Sequence, residues 1–448
     1  MSGIIVEQGK SDRGLNEPFP TPSIPSASIT APLTMASHAL PPPAPAAAKP
    51  QAPAAPTTIH ALTDDLLRDI FLRLPSLPSL VRAAIACRSF LAAVRSSPEF
   101  RRRFRALHPP PLLGIFFDSD DEEMPSFKPV LRRSDPDLAA AVRGADVFLT
   151  RLPDDDEDAS PVWRIEECRG GYLLLSDWET GKTAAYNPLT QAMHLFPSPP
   201  DKKIRHNCRG KFIPMSFFLL SSDEASSSFR VVFVCHDKSR LRAAVFSSAT
   251  KKWQVLPWSQ AAPEQPAPIK YWLCTGTQVN GSLYWPHDRH AYKVALDTVT
   301  MQFSFIDLPE ALKGQSDLYK VGETKDGKPC IVAAIAFTLR IWSRRADSDG
   351  VEKWILDDRI PMKAELLQVT GGSVDDHQRL KVYAIIDGIV YLSTFERFRD
   401  DTRLPSSFLS FCLETRRLEN LFHTKSDGHV YPYIMAWPPS LVGNNVSP

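Results

Sequence analysis

Two short motifs have the spacing of metal-ligand pairs. They are His206-x-Cys208, within the basic stretch KKIRHNCRGK, and His287-x-x-His290, which follows Trp285. A zinc site needs three or four converging ligands, and neither pair is joined by a visible third one. An ordinary loop is therefore the favoured interpretation of both motifs, and we predict no metal site.

A third motif, Cys235-His236-Asp237, contains the side-chain types of a nucleophilic triad. Neighbouring residues at the end of a strand point in different directions, so these three side chains are not expected to converge. The sequence also lacks a G-x-S-x-G elbow, a P-loop, an H-E-x-x-H helix and a G-x-G-x-x-G turn. We predict no catalytic residues and no cofactor, and we expect the protein not to be an enzyme. An enzyme is the alternative, and it would need His, Tyr or carboxylate side chains gathered on one loop face.

Composition is that of an ordinary soluble protein. The 448 residues are 43% hydrophobic and 23% charged, with a formal net charge of +1. This length predicts two folded units and a tail. The near-neutral charge favours neither nucleic acid nor an anionic membrane as a partner, and we expect neither.

Cysteine usage and hydropathy indicate a compartment. The seven cysteines are odd in number and never form a C-x-x-C pair, which argues against a disulfide framework and favours a reducing environment. No apolar run reaches the 18 or so residues of a spanning helix, and the N-terminus has no continuous apolar signal region. We expect a protein of the cytoplasm, the nucleus or both.

The sequence divides into four parts. Residues 1–58 are rich in Pro, Ala and Ser and are expected to be a disordered tail, although the prolines around 41–45 could serve as a polyproline ligand. Residues 59–108 are expected to be helical, and residues 112–437 to be a β domain. Residues 438–448 are expected to be a flexible tail.

The 59–108 segment has helix signals. Apolar residues at helical spacing follow Asp64 and Asp65, whose charges suit the first turn of a helix, and Pro75 stops the pattern. Ser79 is predicted to cap a second helix that continues as LVRAAIACRSFLAAVR. The sequence Ser97-Pro98-Glu99 predicts the start of another. Residues 101–105, RRRFR, are read as a solvated face, with nuclear import or nucleic-acid binding as the alternative.

Beyond Leu112 the pattern changes to the period of β-strands. Two features recur there. The first is a glycine-led strand, in GYLLL (171–175), GSLYW (281–285) and GIVYL (388–392), and the second is a threonine-containing turn. The turns lie in NPLTQ (187–191), SSATK (247–251), DTVTM (297–301) and ETRRL (414–418).

Spacing of the glycine-led strands predicts the architecture. They lie 110 and 107 residues apart, and strand candidates at 229–234 and 330–337 fall near the middle of those gaps. The period of about fifty residues matches a four-stranded propeller blade. We count five such units between about 163 and 437, and Leu112–Phe117 can start a sixth. Pairing of the first and last strands would close the propeller. Acidic loops at 118–123 and 154–158 are read as solvated insertions.

The helical segment resembles an F-box. The acidic pair, the Arg-Leu-Pro stop, Ser-Leu-Val-Arg and Ser-Pro-Glu-Phe occur in the family's order across residues 60–100. Thr63 replaces the usual proline and can still cap the helix, and Phe90 replaces the usual tryptophan and keeps an aromatic plug.

The remainder resembles the F-box-associated β domain of plant F-box proteins. Asn187-Pro188-Leu189-Thr190 and the sequence NGSLYW (280–285) match two motifs that recur in that family. Together the two resemblances imply an α+β protein, with a small N-terminal F-box followed by a mostly antiparallel, propeller-like all-β domain.

F-box resemblance implies a function and a contact surface. It implies a substrate-receptor subunit of an SCF-type (Skp–cullin–F-box) ubiquitin ligase. The F-box would bind a Skp-type adaptor, the cullin complex would be reached indirectly, and the β domain would recruit an unknown target protein. By motif match the adaptor contact would contain or adjoin Leu62, Leu66, Ile70, Leu74, Pro75, Leu80 and Val81.

The sequence leaves two alternatives open, one for the role of the apolar residues and one for the function. At least half of the apolar residues in the helices are expected to hold the helices together, particularly Leu67, Phe71 and Ile85. The protein could also be a non-catalytic propeller scaffold that is independent of a ubiquitin ligase, with the helical unit used only for packing or dimerisation.

Overall fold

The computed structural model describes residues 62–442 except for several internal segments. These are 119–123, 131–134, 154–161, 178–179, 222–227, 263–272, 274, 288–291, 316–317, 347–349, 351, 372–378, 396–405 and 425–427. The predicted tail 1–58, both predicted acidic loops beyond Asp118, His290 and most of the predicted C-terminal tail lie outside the described residues.

Four helices, which we call the helical module, open the described chain. They are α1 (Asp64–Phe71), α2 (Leu77–Ile85), α3 (Arg88–Arg95) and α4 (Pro98–Leu107). The predicted restart is confirmed, because Ser97 Oγ accepts a hydrogen bond from the backbone N–H of Phe100 (3.1 Å).

The prediction of a single second helix that Ser79 caps is wrong in two respects. The helix begins at Leu77 after Ser76, and the chain breaks at Ala86 and Cys87 into α2 and α3. The two short helices contact each other, whereas one straight helix of the same length would extend beyond this small core.

The described strands form six antiparallel sheets. Blade 1 has the order β2-β1-β23, and blades 2 to 6 each contain four consecutive strands, β3–β6, β7–β10, β11–β14, β15–β18 and β19–β22. The strands are β1 (Leu112–Asp118), β2 (Ser126–Pro129), β3 (Trp163–Arg169), β4 (Tyr172–Asp177), β5 (Lys182–Asn187), β6 (Ala192–Pro197), β7 (Ile213–Ser221), β8 (Phe229–His236), β9 (Leu241–Ser247), β10 (Lys252–Val255), β11 (Thr277–Val279), β12 (Ser282–Pro286), β13 (Tyr292–Asp297), β14 (Phe303–Asp307), β15 (Tyr319–Glu323), β16 (Pro329–Ile335), β17 (Thr338–Ala346), β18 (Glu352–Pro361), β19 (Arg379–Ile386), β20 (Ile389–Phe395), β21 (Ser406–Cys412), β22 (Leu418–Thr424) and β23 (His429–Ile434).

This arrangement is a six-bladed β-propeller, which confirms the predicted antiparallel β domain. The last strand, β23, pairs with the first, β1, from Leu112↔Ile434 to Asp118↔His429. The pairing joins the two ends of the domain within blade 1. The facing edges of β1 and β23 are therefore hydrogen-bonded to each other and not exposed.

The five strongest strand signals all belong to the second strand of a blade. They became β4, β8, β12, β16 and β20. The predicted glycines lie in two-residue turns between the first and second strands, at Gly170-Gly171, Asn280-Gly281 and Asp387-Gly388, and both residues of each turn have positive φ. Positive φ at both positions defines a type I′ turn, which favours Asn-Gly, Asp-Gly and Gly-Gly.

The recurring threonine turns connect the third and fourth strands of four blades. In each, the first residue accepts a hydrogen bond from the backbone N–H of the threonine three positions later. The pairs are Asn187 with Thr190, Ser247 with Thr250, Asp297 with Thr300 and Cys412 with Thr415. The residue after each threonine has positive φ, namely Gln191, Lys251, Met301 and Arg416. The motif therefore marks one turn geometry repeated around the propeller.

The described residues of the predicted β domain contain three α-helices, where the sequence suggested almost none. They are α5 (Pro136–Gly144), α6 (Asp201–Ile204) and α7 (Lys363–Thr370). Asp135 caps α5, because its Oδ1 accepts a hydrogen bond from Leu138 N–H (2.9 Å), and Pro136 is the first residue of the helix. This is the same start signal as Ser97-Pro98, so the sequence contained the information needed to find α5.

Candidate protein-interaction surface

Helix α1 has one buried side and one exposed side. Thr63 caps the helix, accepting a hydrogen bond from Leu66 N–H on its side chain (3.5 Å). Leu67 and Phe71 are buried, whereas Leu66 is 52% exposed and Ile70 is 46% exposed. Residues four apart lie on the same side of a helix, so Leu66 and Ile70 form one continuous outward-facing apolar strip.

Contacts with α3 fix the orientation of α1. Arg68 Nε donates to the carbonyl of Ala93 (3.0 Å), and an Arg68 guanidinium nitrogen donates to Ser96 Oγ (2.9 Å). The rings of Phe71 and Phe90 pack edge to face with centroids 5.4 Å apart. Phe90 thus supplies the aromatic contact expected of it, and the buried side of α1 cannot rotate outward without losing these bonds.

The seven predicted adaptor-contact residues have three different environments. Exposed members are Leu66, Ile70 and Pro75, partly buried members are Leu62, Leu74 and Val81, and Leu80 is fully buried. Leu80 therefore belongs to the core of the helical module. Of the residues expected to hold the helices together, Leu67 and Phe71 are buried, but Ile85 is 62% exposed at the end of α2. Ile85 adds a second exposed apolar site that the sequence interpretation had assigned to the core.

The helical module is packed onto the propeller through its other helices. Phe104 of α4 meets Trp437 edge to face at 5.9 Å, and the Arg105 guanidinium lies 4.9 Å from the centre of the same indole. Arg95 donates to the carbonyl of Ser440 (2.6 Å). These contacts use α3 and α4, so the exposed residues of α1 remain outside the packing against the β domain.

A polar contact joins α2 to α5. Ser79 Oγ and an Arg82 guanidinium nitrogen donate to the two carboxylate oxygens of Asp137, at 2.8 and 2.7 Å. The hydrogen bond from Arg82, followed by that from Ser79, lowers the pKa of Asp137 below its usual value. Ser79 thus contacts the β domain's first helix and does not cap α2.

The arginine-rich stretch of α4 is less solvated than expected. Arg101 is buried, and one of its guanidinium nitrogens donates to the carbonyl of Arg95 (2.8 Å). Together with the stacking of Arg105 on Trp437, this places two of the four arginines in packing contacts. Their positions are explained by folding of the helical module, without a nucleic-acid ligand.

A cavity of about 290 Å³ lies where the helical module covers one end of the propeller. Its helical wall includes Phe104 and His108, and its propeller wall includes Arg169, Glu323 and Asp387. Burial raises the pKa of both carboxyl groups, and the charge of Arg169 opposes this shift. Arg169, Glu323 and Asp387 all end the first strand of a blade or follow it directly. The first strand of a blade therefore ends at this cavity, and the fourth strand, which is antiparallel to the third, ends at the opposite end of the propeller. The connections from one blade to the next lie at that opposite end, away from the cavity.

The described residues of the two motifs with metal-ligand spacing make other contacts, and His290 lies outside the described residues. No group of three or more His, Cys, Asp or Glu side chains within the described part of the chain could hold a metal ion. Cys208 Sγ donates to the carbonyl of Gly210 (3.7 Å), and His206 is exposed. The ring of His287 packs against Tyr292 at 4.8 Å.

The Cys235-His236-Asp237 motif is structural. Cys235 Sγ donates to the carbonyl of Arg242, His236 Nδ1 lies 2.9 Å from the carbonyl of Asp237, and Arg240 Nε donates to Asp237 Oδ2 (3.1 Å). Burial raises the pKa of Cys235 and lowers that of His236. A thiol held protonated and bonded to a carbonyl is a poor nucleophile.

The fold defines a β-propeller protein with an N-terminal helical module that carries an exposed apolar strip. Residues 164–441 match the family described as "F-box protein AT5G49610-like, beta-propeller". Because the match covers more than half of the sequence, the chain belongs to this family, and its propeller is a protein-interaction module. Comparison with curated proteins gave no match.

Several solved structures have low similarity to this chain. A putative TolB from Agrobacterium tumefaciens has 13% identity and a TM-score of 0.32 over 62% of this chain and 92% of that one. A protein from Lactobacillus plantarum has 11% identity and a TM-score of 0.36 over 73% and 98% of the two chains. These likenesses carry no argument about function. No helix among the described residues is long and apolar enough to cross a membrane.

Proposed function

We propose that the protein is the substrate-receptor subunit of an SCF-type ubiquitin ligase. The helical module binds a Skp-type adaptor, which links it to the cullin, and the propeller recruits a target protein. The observation that carries the proposal is the exposure of Leu66 and Ile70 on a helix whose opposite side is fixed in the core.

Energetics of burial support a protein partner for this strip. Fully burying one Leu or Ile side chain contributes roughly 1.5–3 kcal/mol. Leu66, Ile70 and Ile85 each retain a large exposed fraction, so a partner that covered them would gain an apolar interface centre without relying on charge. Partly buried Leu62, Leu74 and Val81 would extend this contact.

Sequence and family provide separate support. The F-box-like order of motifs lies in residues 60–100, whereas the family match covers 164–441, so the two observations use different residues. The family description includes the words F-box protein. The motif order supports an adaptor-binding module in the helices, and the family match supports the propeller of an F-box protein that follows it.

In this role the protein performs no bond chemistry. It raises the effective concentration of a target's lysines near the conjugating enzyme, which is catalysis by proximity. We propose that it acts in the cytoplasm or the nucleus. Support comes from the six described cysteines, Cys87, Cys168, Cys208, Cys235, Cys330 and Cys412, which carry free thiols.

Co-expression of the full-length chain with a Skp-type adaptor tests the proposal. We expect the two proteins to purify together, and we expect Leu66→Glu with Ile70→Glu to abolish the association. Val299→Glu is the matched control, because Val299 is 82% exposed in a turn of blade 4. The proposal is rejected in favour of a ligase-independent scaffold if the adaptor fails to purify with this chain but does so with an established F-box protein.

A further inference from the structure

One connection between blades carries a concentration of positive charge. Residues 201–211 link β6 of blade 2 to β7 of blade 3 at the end of the propeller away from the helical module. This segment has five Lys and Arg residues against one Asp, although the whole chain has a net charge of only +1. The charge is therefore a local feature of this end of the propeller.

Most of these cations are available to a partner. We call Lys202, Lys203, Arg209, Lys211 and Lys238 the basic surface, since all five are exposed. Two acidic residues lie among them, and each is already used. Asp201 pairs with Arg205, and buried Asp237 pairs with Arg240. Among the described residues, no acidic side chain neutralises the basic surface.

Buried hydrogen bonds hold this segment in place. One guanidinium nitrogen of Arg242, a residue that is almost fully buried, donates to the carbonyls of Lys203 (3.0 Å), Ile204 (2.9 Å) and His206 (3.0 Å). The indole N–H of Trp258 also donates to the carbonyl of His206 (2.8 Å). The stretch that the sequence suggested to be an ordinary loop is thus held in one conformation. Little backbone freedom therefore remains to be lost when a partner binds.

Asp237 ties the rest of the segment to blade 3. Its Oδ2 accepts a hydrogen bond from the backbone N–H of Arg209 (3.0 Å), and the Lys238 N–H donates to the carbonyl of Arg209 (3.2 Å). Burial raises the pKa of Asp237, but hydrogen bonds from Arg240 and three backbone N–H groups outweigh this and lower it overall. The anchoring carboxylate is therefore charged throughout the neutral range.

An open groove of about 510 Å³ runs beside these lysines. Its polar wall contains Lys202, Lys203 and His206, and its other wall contains Val255, Leu256 and Pro257. A groove with cations on one wall and apolar side chains on the other suits an extended polypeptide that alternates acidic and apolar residues.

We propose that this groove and the basic surface bind an extended acidic segment of another protein. Single-stranded nucleic acid is the weaker fit, because it needs free aromatic faces for base stacking. The two aromatic rings here are covered by arginines, with Arg205 4.2 Å from the centre of Phe212 and Arg242 4.5 Å from that of Trp258. The acidic segment would belong to the ligase's target, and this part of the inference rests on the proposed function.

Fluorescence anisotropy of the full-length chain with a labelled peptide of repeating Glu-Asp-Glu-Leu units tests the proposal. We expect saturable binding that weakens as salt rises. The variant Lys202→Glu, Lys203→Glu, Lys238→Glu should weaken binding by about tenfold or more, and the corresponding Gln variant should have an intermediate effect. The control is Lys251→Glu with Lys252→Glu, which reverses two exposed charges at the other end of blade 3 and should change affinity less than about twofold.

Three outcomes would overturn the inference. They are no binding of the acidic peptide by the unaltered chain at low salt, equal weakening by the control variant, and tighter binding of oligodeoxythymidylate than of the peptide. Adaptor co-purification is measured in parallel. A chain that binds the peptide through the basic surface but does not bind the adaptor would refute the ligase role and leave the acidic-segment site established.

Discussion

Leu66 and Leu67 are consecutive residues of α1, yet Leu66 is 52% exposed and Leu67 is 2% exposed. The difference in exposure predicts that the same truncation destabilises the protein strongly at Leu67 and very little at Leu66. Leu67→Ala should lower the free energy of unfolding by about 2–5 kcal/mol, because it leaves a cavity in the core. Leu66→Ala should change it by less than about 0.5 kcal/mol. Urea denaturation of the full-length variants measures both, and equal destabilisation would contradict the assigned orientation of α1.

Pairing of β1 with β2 in blade 1 depends on close packing at Gly114. A Cβ added there would lie 2.6 Å from the carbonyl oxygen of Lys128 and closer still to the ring of Phe127. Gly114→Ala should therefore separate β1 from β2 and destabilise the protein by about 1–3 kcal/mol. Gly144→Ala is the control, because nothing lies within 4 Å of its added Cβ, and it should be neutral or slightly stabilising. Thermal unfolding compares the two variants, and a neutral Gly114→Ala would contradict this packing.

Of the four residues that begin the threonine turns, Asn187 is the one that is buried. Its side-chain oxygen accepts from the N–H groups of Leu189 (3.0 Å) and Thr190 (3.1 Å). Asn187→Ala should cost about 1–3 kcal/mol, because two backbone donors lose their acceptor. Ser247→Ala removes one longer bond of 3.4 Å at the equivalent position and should cost less. Denaturation midpoints decide the order, and the reverse ranking would count against the shared turn geometry.

Lys293 makes stability depend on pH. Its side chain is fully buried between the rings of Tyr284 and Trp354, with Nζ 4.0 and 4.4 Å from their centres. Burial, with a smaller effect from the charge of Arg344, lowers its pKa from 10.5 to about 7. Between these two values the unfolded chain binds more protons than the folded one, so stability should rise with pH across this range.

Lys293→Met tests this dependence. The variant should be more stable at pH 8 than the unaltered chain and should lose the contribution that rises from about pH 7 toward pH 10. Lys252→Met, at an exposed lysine of β10, should keep it. Thermal midpoints across this pH range provide the measurement, and identical profiles for Lys293→Met and the unaltered chain would refute the depressed pKa.

Local sequence rules for turns and strands were sufficient to predict much of the propeller. Type I′ turns need positive φ at two positions and favour Asn-Gly, so the turn at Asn280-Gly281 can be recognised in the sequence, and four of the five residues in the strand after it are buried. The outer strands were harder to find. In β18 exposed positions alternate with partly buried ones and none is fully buried, because this outer strand borders solvent, and five of its ten residues are charged.

The interaction surfaces required three-dimensional information. Exposure of Ile85 and burial of Leu80 depend on the break between α2 and α3, which no proline or glycine marks. The platform at residues 201–211 depends on Arg242, which lies more than thirty positions later in the sequence and reaches back to three carbonyls. Composition indicated the charge of this segment, but only the fold reveals that its lysines border a groove.

The most direct test of the central claim is the affinity of the purified full-length chain for a purified Skp-type adaptor, measured by titration calorimetry. We expect specific binding with a negative heat-capacity change, the signature of apolar burial. Leu66→Glu with Ile70→Glu should reduce the affinity by at least about a hundredfold, because it places two charges in that interface. Unchanged affinity in this double variant, with Val299→Glu also unchanged, would show that the exposed strip of α1 is not the adaptor contact.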